Sequence, residues 1–253
     1  MNKIDKLGEI RKNNFSTEMK IIEFNNWRNI TIEFQDEYKA KVCTNYGNFK
    51  CGTISNPYDK TVWNIGYMGE GKYNSKDYSL AYRKWNTMLK RCYDPYYLNV
   101  RPTYRDCFVC EEWHNFQNFA KWWEENYYEV EGDRMELDKD ILIKGNKIYS
   151  PEACMIVPNK INILFAKGDT KKKLPIGVFP NKLRFHARCR IYDYQDKKSK
   201  DIYLGNFDTP YKAFLSYKNY KESHIKEIAN KYKQIIPIDL YNAMYKYKIE
   251  IDD

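Results

Sequence analysis

Residues Met135–Phe165 read MELDKDILIKGNKIYSPEACMIVPNKINILF. The first run predicts a strand ending at Asp138, Lys139 and Asp140. Gly145-Asn146 supplies a tight turn, Lys147 to Tyr149 a second strand, and Ser150-Pro151-Glu152 a helix start, with a cap followed by proline at the first helical position. The expected order is therefore strand, turn, strand, short helix. Two carboxylates bracketing a lysine at a strand end carry three readings. Asp138 and Asp140 could hold a divalent metal, Lys139 could bind phosphate, or the three could form an ion pair that stabilises a turn.

Downstream, Lys167 to Leu174 (KGDTKKKL) reads as a charged linker. Strands are expected over 175–180, 183–192 and 202–207, then a long helix from Thr209-Pro210 to about Lys233 and a short one over 240–247. The second of these strands contains RFHARCRI. Period two places Arg184, His186, Arg188 and Arg190 on one face, and Phe185, Ala187, Cys189 and Ile191 on the other. The apolar face can pack on the helix after Pro210. What remains is a row of cations spaced at roughly 6.6–6.8 Å, suited to entering a major groove where arginine pairs bidentately with guanine. Lys182 precedes the row, and Lys171, Lys172 and Lys173 are placed to add phosphate contacts.

Upstream, Tyr78–Arg91 and a second stretch around Trp113–Trp123 carry apolar residues at helical spacing, and both predict amphipathic helices. The aromatic stripe of the second reads as core. His114 begins it and could serve as a general base. Before Gly69-Glu70-Gly71-Lys72, runs such as Ile30-Thr31-Ile32-Glu33-Phe34 alternate with Asn-rich and Gly-rich turns and predict a small all-β module. Residues 1–19 are polar and read as loosely ordered.

The chain has 253 residues, a formal net charge of +9 and 24 tyrosines. A basic balance favours nucleic acid as partner, because clustered cations release counterions from phosphate. Lysine-rich, AT-biased coding would also enrich Lys and Tyr, so charge alone does not decide. Seven cysteines, an odd number, a mean hydropathy of -0.81 and an N-terminal MNKIDKLGEIRKNN without an apolar run predict a cytoplasmic protein with reduced thiols and no membrane partner. Cys107-x-x-Cys110 has zinc-knuckle spacing, with Cys92 and Cys154 as the residues that could complete four ligands. Buried thiols are the default reading, and zinc is not expected.

Two stretches resemble known families. Pro175-Ile176-Gly177-Val178, RFHARCRI and Tyr203-Leu204-Gly205-Asn206-Phe207-Asp208-Thr209-Pro210-Tyr211-Lys212-Ala213 resemble the plant Apetala/ethylene-response-factor DNA-binding domain. Phe185 stands where that family prefers Trp, and Phe214 replaces its second Ala. AYRKWNTMLKRCYDP, VCEEWHNFQNFAKW, LDKDI and YSPEACMIVPNKIN resemble HNH-type proteins of phages and mobile elements, the ββα-metal nucleases. That second resemblance implies Mg or Mn, an acid at Asp138 and a histidine general base where Lys139 stands; a lysine ammonium has no lone pair to accept a proton at neutral pH. Where many relatives have a helix Asn, this chain has Ala153.

The expected fold is α+β: a flexible 1-19, a β module over 20-72, an HNH-like domain over 76-166 and an Apetala-like domain over 175-253. The expected function is double-stranded DNA binding, either with homing-type cleavage at a degenerate site or without catalysis as a regulator or anti-defence factor. A host or phage protein is the alternative partner.

Overall fold

The structure, a computed structural model, describes residues 6–166, 174–193 and 198–253. It is a mixed α+β fold that divides into two compact units. The first unit comprises residues up to Glu125 together with Ile148–Ser150, and the second comprises Asn126–Lys147 and Pro151–Asp253.

In the first unit, β1 (Ile10–Lys12), β2 (Glu18–Asn26), β3 (Asn29–Phe34) and β4 (Lys41–Thr44) form an antiparallel sheet in that order. Alternation decides its faces: Met19, Ile21, Ile30, Ile32 and Phe34 are all fully buried. Two expectations change here. Residues 10–12 are a strand rather than irregular chain, and the module is not all β, because Tyr46–Cys51 forms a helical turn, α1. Asn45 caps it by accepting from the Asn48 N–H at 2.9 Å, and Gly52 ends it at φ 70°. Phe49, fully buried in the sheet's core, anchors it.

Helix α2 (Ser79–Tyr93), helix α3 (Pro95–Val100), the short strand β5 (Phe108–Val109) and helix α4 (Phe116–Asn126) follow. Trp85, Met88, Leu89, Trp113, Phe116, Phe119 and Ala120 are buried, so the aromatic stripe is core, as its spacing predicted. Trp85 donates its indole N–H to the Trp113 carbonyl at 2.7 Å, satisfying a buried donor. Gly66 runs so close to α2 that a Cβ there would lie 2.4 Å from Leu89 Cδ1.

Across Met135–Phe165 the strands pair differently from the expected hairpin. Strand β6 (Met135–Asp138) pairs antiparallel with β8 (Met155–Pro158), whereas β7 (Ile148–Tyr149) pairs in parallel with β5. Residues 151–153 form a turn, not a helix, so Ala153 occupies no helix position. The helix comes later, as α5 (Asn159–Asn162). The physical reason is burial: Met155-Ile156-Val157-Pro158 is buried throughout, and such an apolar, β-branched run is a two-sided core strand.

The second unit continues with β9 (Val178–Asn181), β10 (Arg184–Asp193), β11 (Lys198–Phe207), α6 (Pro210–Tyr232) and α7 (Ile238–Lys246). Thr209 caps α6 through the Lys212 N–H at 3.3 Å, with proline at the first position as expected. The helix serves two cores. Ala213, Phe214 and Tyr217 pack under β9–β11 with Val178, Ala187 and Cys189. Further along, Ile225, Ile228 and Ala229 pack with Ile141, Met155, Val157, Ile161 and Leu240. The C-terminal segment is clamped to α6 by Glu222, which accepts from the Ile249 N–H at 3.0 Å and the Lys248 ammonium at 3.2 Å.

Candidate nucleic-acid interface

Strand β10 is the centre of a three-stranded antiparallel sheet ordered β11-β10-β9. Its inner face carries Ala187 and Cys189, with Phe185 and Ile191 partly buried against the same core. The outer face therefore carries Arg184, His186, Arg188 and Arg190, as the alternation predicts. Lys182 lies in the two-residue turn between β9 and β10 at φ 52°, exposed, beside Leu183, which is 96% exposed.

A bulge shifts the β10–β11 register after Ala187, so that Ala187 faces Gly205 and Arg188 faces Tyr203. The extra residue lets Leu204 and Phe207 both reach the core although they are three apart. It also leaves Tyr203 on the outside, 58% exposed. On that face the Phe179 and His186 rings stack at 5.5 Å, and Tyr203 lies 6.4 Å from His186. The Arg188 guanidinium sits 4.4 Å from the centre of the Phe179 ring. The surface is thus an aromatic strip flanked by cations.

Two acids temper it, and neither was foreseen. Arg190 stands opposite Asp201 and forms two bonds to its carboxylate, at 2.8 and 3.2 Å. Arg188 reaches the same carboxylate at 3.9 Å, and Arg184 pairs with Asp208 at 2.9 Å. The Arg190 hydrogen bond holds the Asp201 carboxyl below the usual carboxylate range. A sequence pattern gives each strand's faces but not the register across strands, so Asp201 was invisible as a partner. Its position in a strand of alternating exposure was the one available signal.

The Asp138–Asp140 stretch has a different character. Asp138 accepts from the backbone N–H groups of Asp140 and Ile141 at 2.8 and 2.7 Å, closing its own turn. Burial pushes its carboxyl up, opposed by those two bonds. Lys139 is buried, and its ammonium donates to Asp140 at 2.8 Å and to the Asn146 carbonyl at 2.5 Å. Asn146 returns a bond to the Lys139 carbonyl at 2.9 Å. One oxygen of each carboxylate is thus engaged, Asp138 Oδ1 by two backbone N–H groups and Asp140 Oδ2 by the Lys139 ammonium.

His114 belongs to the first unit, where its Nε2 lies 3.1 Å from the Val109 carbonyl and burial lowers its pKa. All seven cysteines are thiols. Cys92, Cys107 and Cys154 are buried and Cys110 is half-buried. Among the described residues no cluster of three or more His, Cys, Asp or Glu could hold a metal ion. Lys171, Lys172 and Lys173 lie outside the described residues. Among the described residues no helix is long and apolar enough to cross a membrane.

No family model matches the chain, and no curated protein or solved structure matches it.

Proposed function

We propose that the chain binds double-stranded DNA through the outer face of the β9–β11 sheet, without catalysis at the Asp138–Asp140 turn. The supporting observation is the face itself: Arg184, His186, Arg188 and Arg190 in one row, with Phe179 and Tyr203 beside them. A rigid sheet backed by a long helix presents these groups with little conformational entropy to lose. The arginines supply bidentate donors for guanine edges or phosphates, and the rings supply apolar contact for thymine methyl groups. Arg184 and Arg190 exchange exposed carboxylate partners for DNA, and such exposed pairs are worth only about 0–1 kcal/mol. The resemblance of Pro175–Lys226 to Apetala-type domains supports the same reading.

The non-catalytic form is favoured because Asp138 and Lys139 are committed to the turn's own hydrogen bonds. Incubation with supercoiled plasmid and Mg²⁺ or Mn²⁺ tests it. Binding without nicking is expected. Nicking that Asp138→Ala abolishes would return the turn to catalysis.

A further inference from the structure

The β9–β10 hairpin ends in a two-residue turn, Lys182-Leu183, closed by the ladder pair Asn181 and Arg184. Leu183 is 96% exposed, the most of any large hydrophobic among the described residues, and the next is Tyr96 at 75%. The turn is tight, with Lys182 at φ 52°, so backbone geometry rather than packing holds Leu183 in place. One exposed leucine needs no explanation by itself. This one stands beside two exposed amides. Asn181 shares the outer face with Arg184, and Asn206 shares it with His186, because residues paired across a ladder lie on the same face. Their side chains meet across β10, where the Asn181 amide donates to the Asn206 side-chain oxygen at 3.1 Å. That bond orients the Asn181 amide. It leaves Asn181 an acceptor oxygen and a second N–H, both directed to solvent-exposed space at the end of the cationic row.

We propose that this hairpin end reads A·T base pairs in the major groove, with Asn181 contacting an adenine and Leu183 a thymine methyl group. The Asn181 oxygen accepts from adenine N6, and its remaining N–H donates to N7, the bidentate geometry of asparagine on adenine. Guanine presents the O6 acceptor where adenine presents N6–H, so it repels the same oxygen. Leu183 covers the C5-methyl that thymine has and cytosine lacks. Asn206 is a positioning residue that acts through the Asn181 amide. Arginine alone would favour guanine or phosphate, so the hairpin end gives the face a second, different preference. The inference rests on the reading that the outer face of the β9–β11 sheet binds duplex DNA, and it names the bases that one end of that face selects.

Duplexes bound by the full-length wild type are selected from a random pool, and the same selection is run with Leu183→Ala and Asn181→Ala. An A·T preference is expected at one edge of the wild-type site, weakened at that edge alone in both variants. Anisotropy titrations then use the selected duplex with single-atom-group changes at that edge. Uracil for thymine removes only the methyl and should cost the wild type about fourfold in affinity, the value of one buried methyl group. It should cost Leu183→Ala nothing. 7-Deazaadenine lacks the N7 acceptor and should cost the wild type about fivefold, the low end for a bidentate base contact. It should cost Asn181→Ala nothing. Asn206→Ala should shrink the 7-deazaadenine effect and leave the uracil effect intact. Leu183→Ala and Asn181→Ala should keep the wild-type slope of log K against log salt, because neither side chain releases counterions. Wild-type indifference to both modified bases overturns the proposal, and that arm does not depend on any variant folding. Variants that retain the wild-type edge preference overturn it too. A pool without base preference, bound with a steep salt slope, overturns the readout and leaves the sheet as a phosphate-binding face. A wild type that binds no duplex overturns both this inference and the DNA reading beneath it.

Discussion

Replacing Arg184, Arg188 and Arg190 together by alanine is the most direct probe of the sheet. The three side chains are 54%, 39% and 73% exposed, and none contributes to the core beneath β10. Their pairs with Asp201 and Asp208 are surface ion pairs, so the variant should lose no more than about 1 kcal/mol of stability per pair. DNA affinity should change far more. If each arginine neutralises one phosphate, the slope of log K against log salt falls by about 2.7. Between 50 and 200 mM salt, a fourfold change, three contacts account for a roughly 40-fold loss of affinity in wild type, which the variant would no longer show. Anisotropy titrations of a labelled duplex at four or five salt concentrations read this slope, with circular dichroism and Tm as controls for folding. Substituting lysine at the three positions should preserve most of the slope, because charge is kept, while weakening any preference for guanine-containing sites. A folded triple-alanine variant with the wild-type slope would refute the assignment of DNA binding to this face.

Asp201→Asn frees Arg190 and Arg188 and removes a negative charge from the face, so duplex affinity should rise at low salt and the salt slope should steepen. Gly177→Ala should destabilise the chain by about 3 kcal/mol in a denaturant titration, because φ is 77° and the new Cβ would lie 2.1 Å from Tyr217 Cδ2. Lys221 is buried on α6, and burial lowers its pKa from the ordinary 10.5. The unfolded chain then binds the proton more tightly, so stability carries a penalty below the folded pKa that fades as pH rises toward 10.5. Lys221→Met should raise stability near neutral pH, on the order of 1 kcal/mol, and remove that alkaline gain in chemical denaturation at several pH values. Glu222→Ala leaves the buried Ile249 N–H without its acceptor and should cost about 2 kcal/mol, with faster hydrogen exchange in the C-terminal segment.

Local pattern determined much of this chain. Alternation placed Ile30, Ile32 and Phe34 inward, and Arg184, His186, Arg188 and Arg190 outward. Helical spacing placed Trp85, Phe116 and Phe119 in the core, and Thr209-Pro210 marked the start of α6. These features were legible because each depends on neighbours a few residues apart. Pairing between distant strands was decided by the tertiary structure. The run Met155–Pro158 took β6 as its partner because it had to be buried on both faces, and that left Ile148-Tyr149 to pair with Phe108-Val109. Register, likewise, brought Asp201 opposite Arg190 and turned a row of bare cations into a partly neutralised surface. The Asp138–Asp140 turn shows the same division. Its residue types were compatible with a metal site, a phosphate site or an ion pair. Only folding showed Asp138 bonded to its own backbone and Lys139 to Asn146, since hydrogen-bond direction is set by the path of the chain and not by composition.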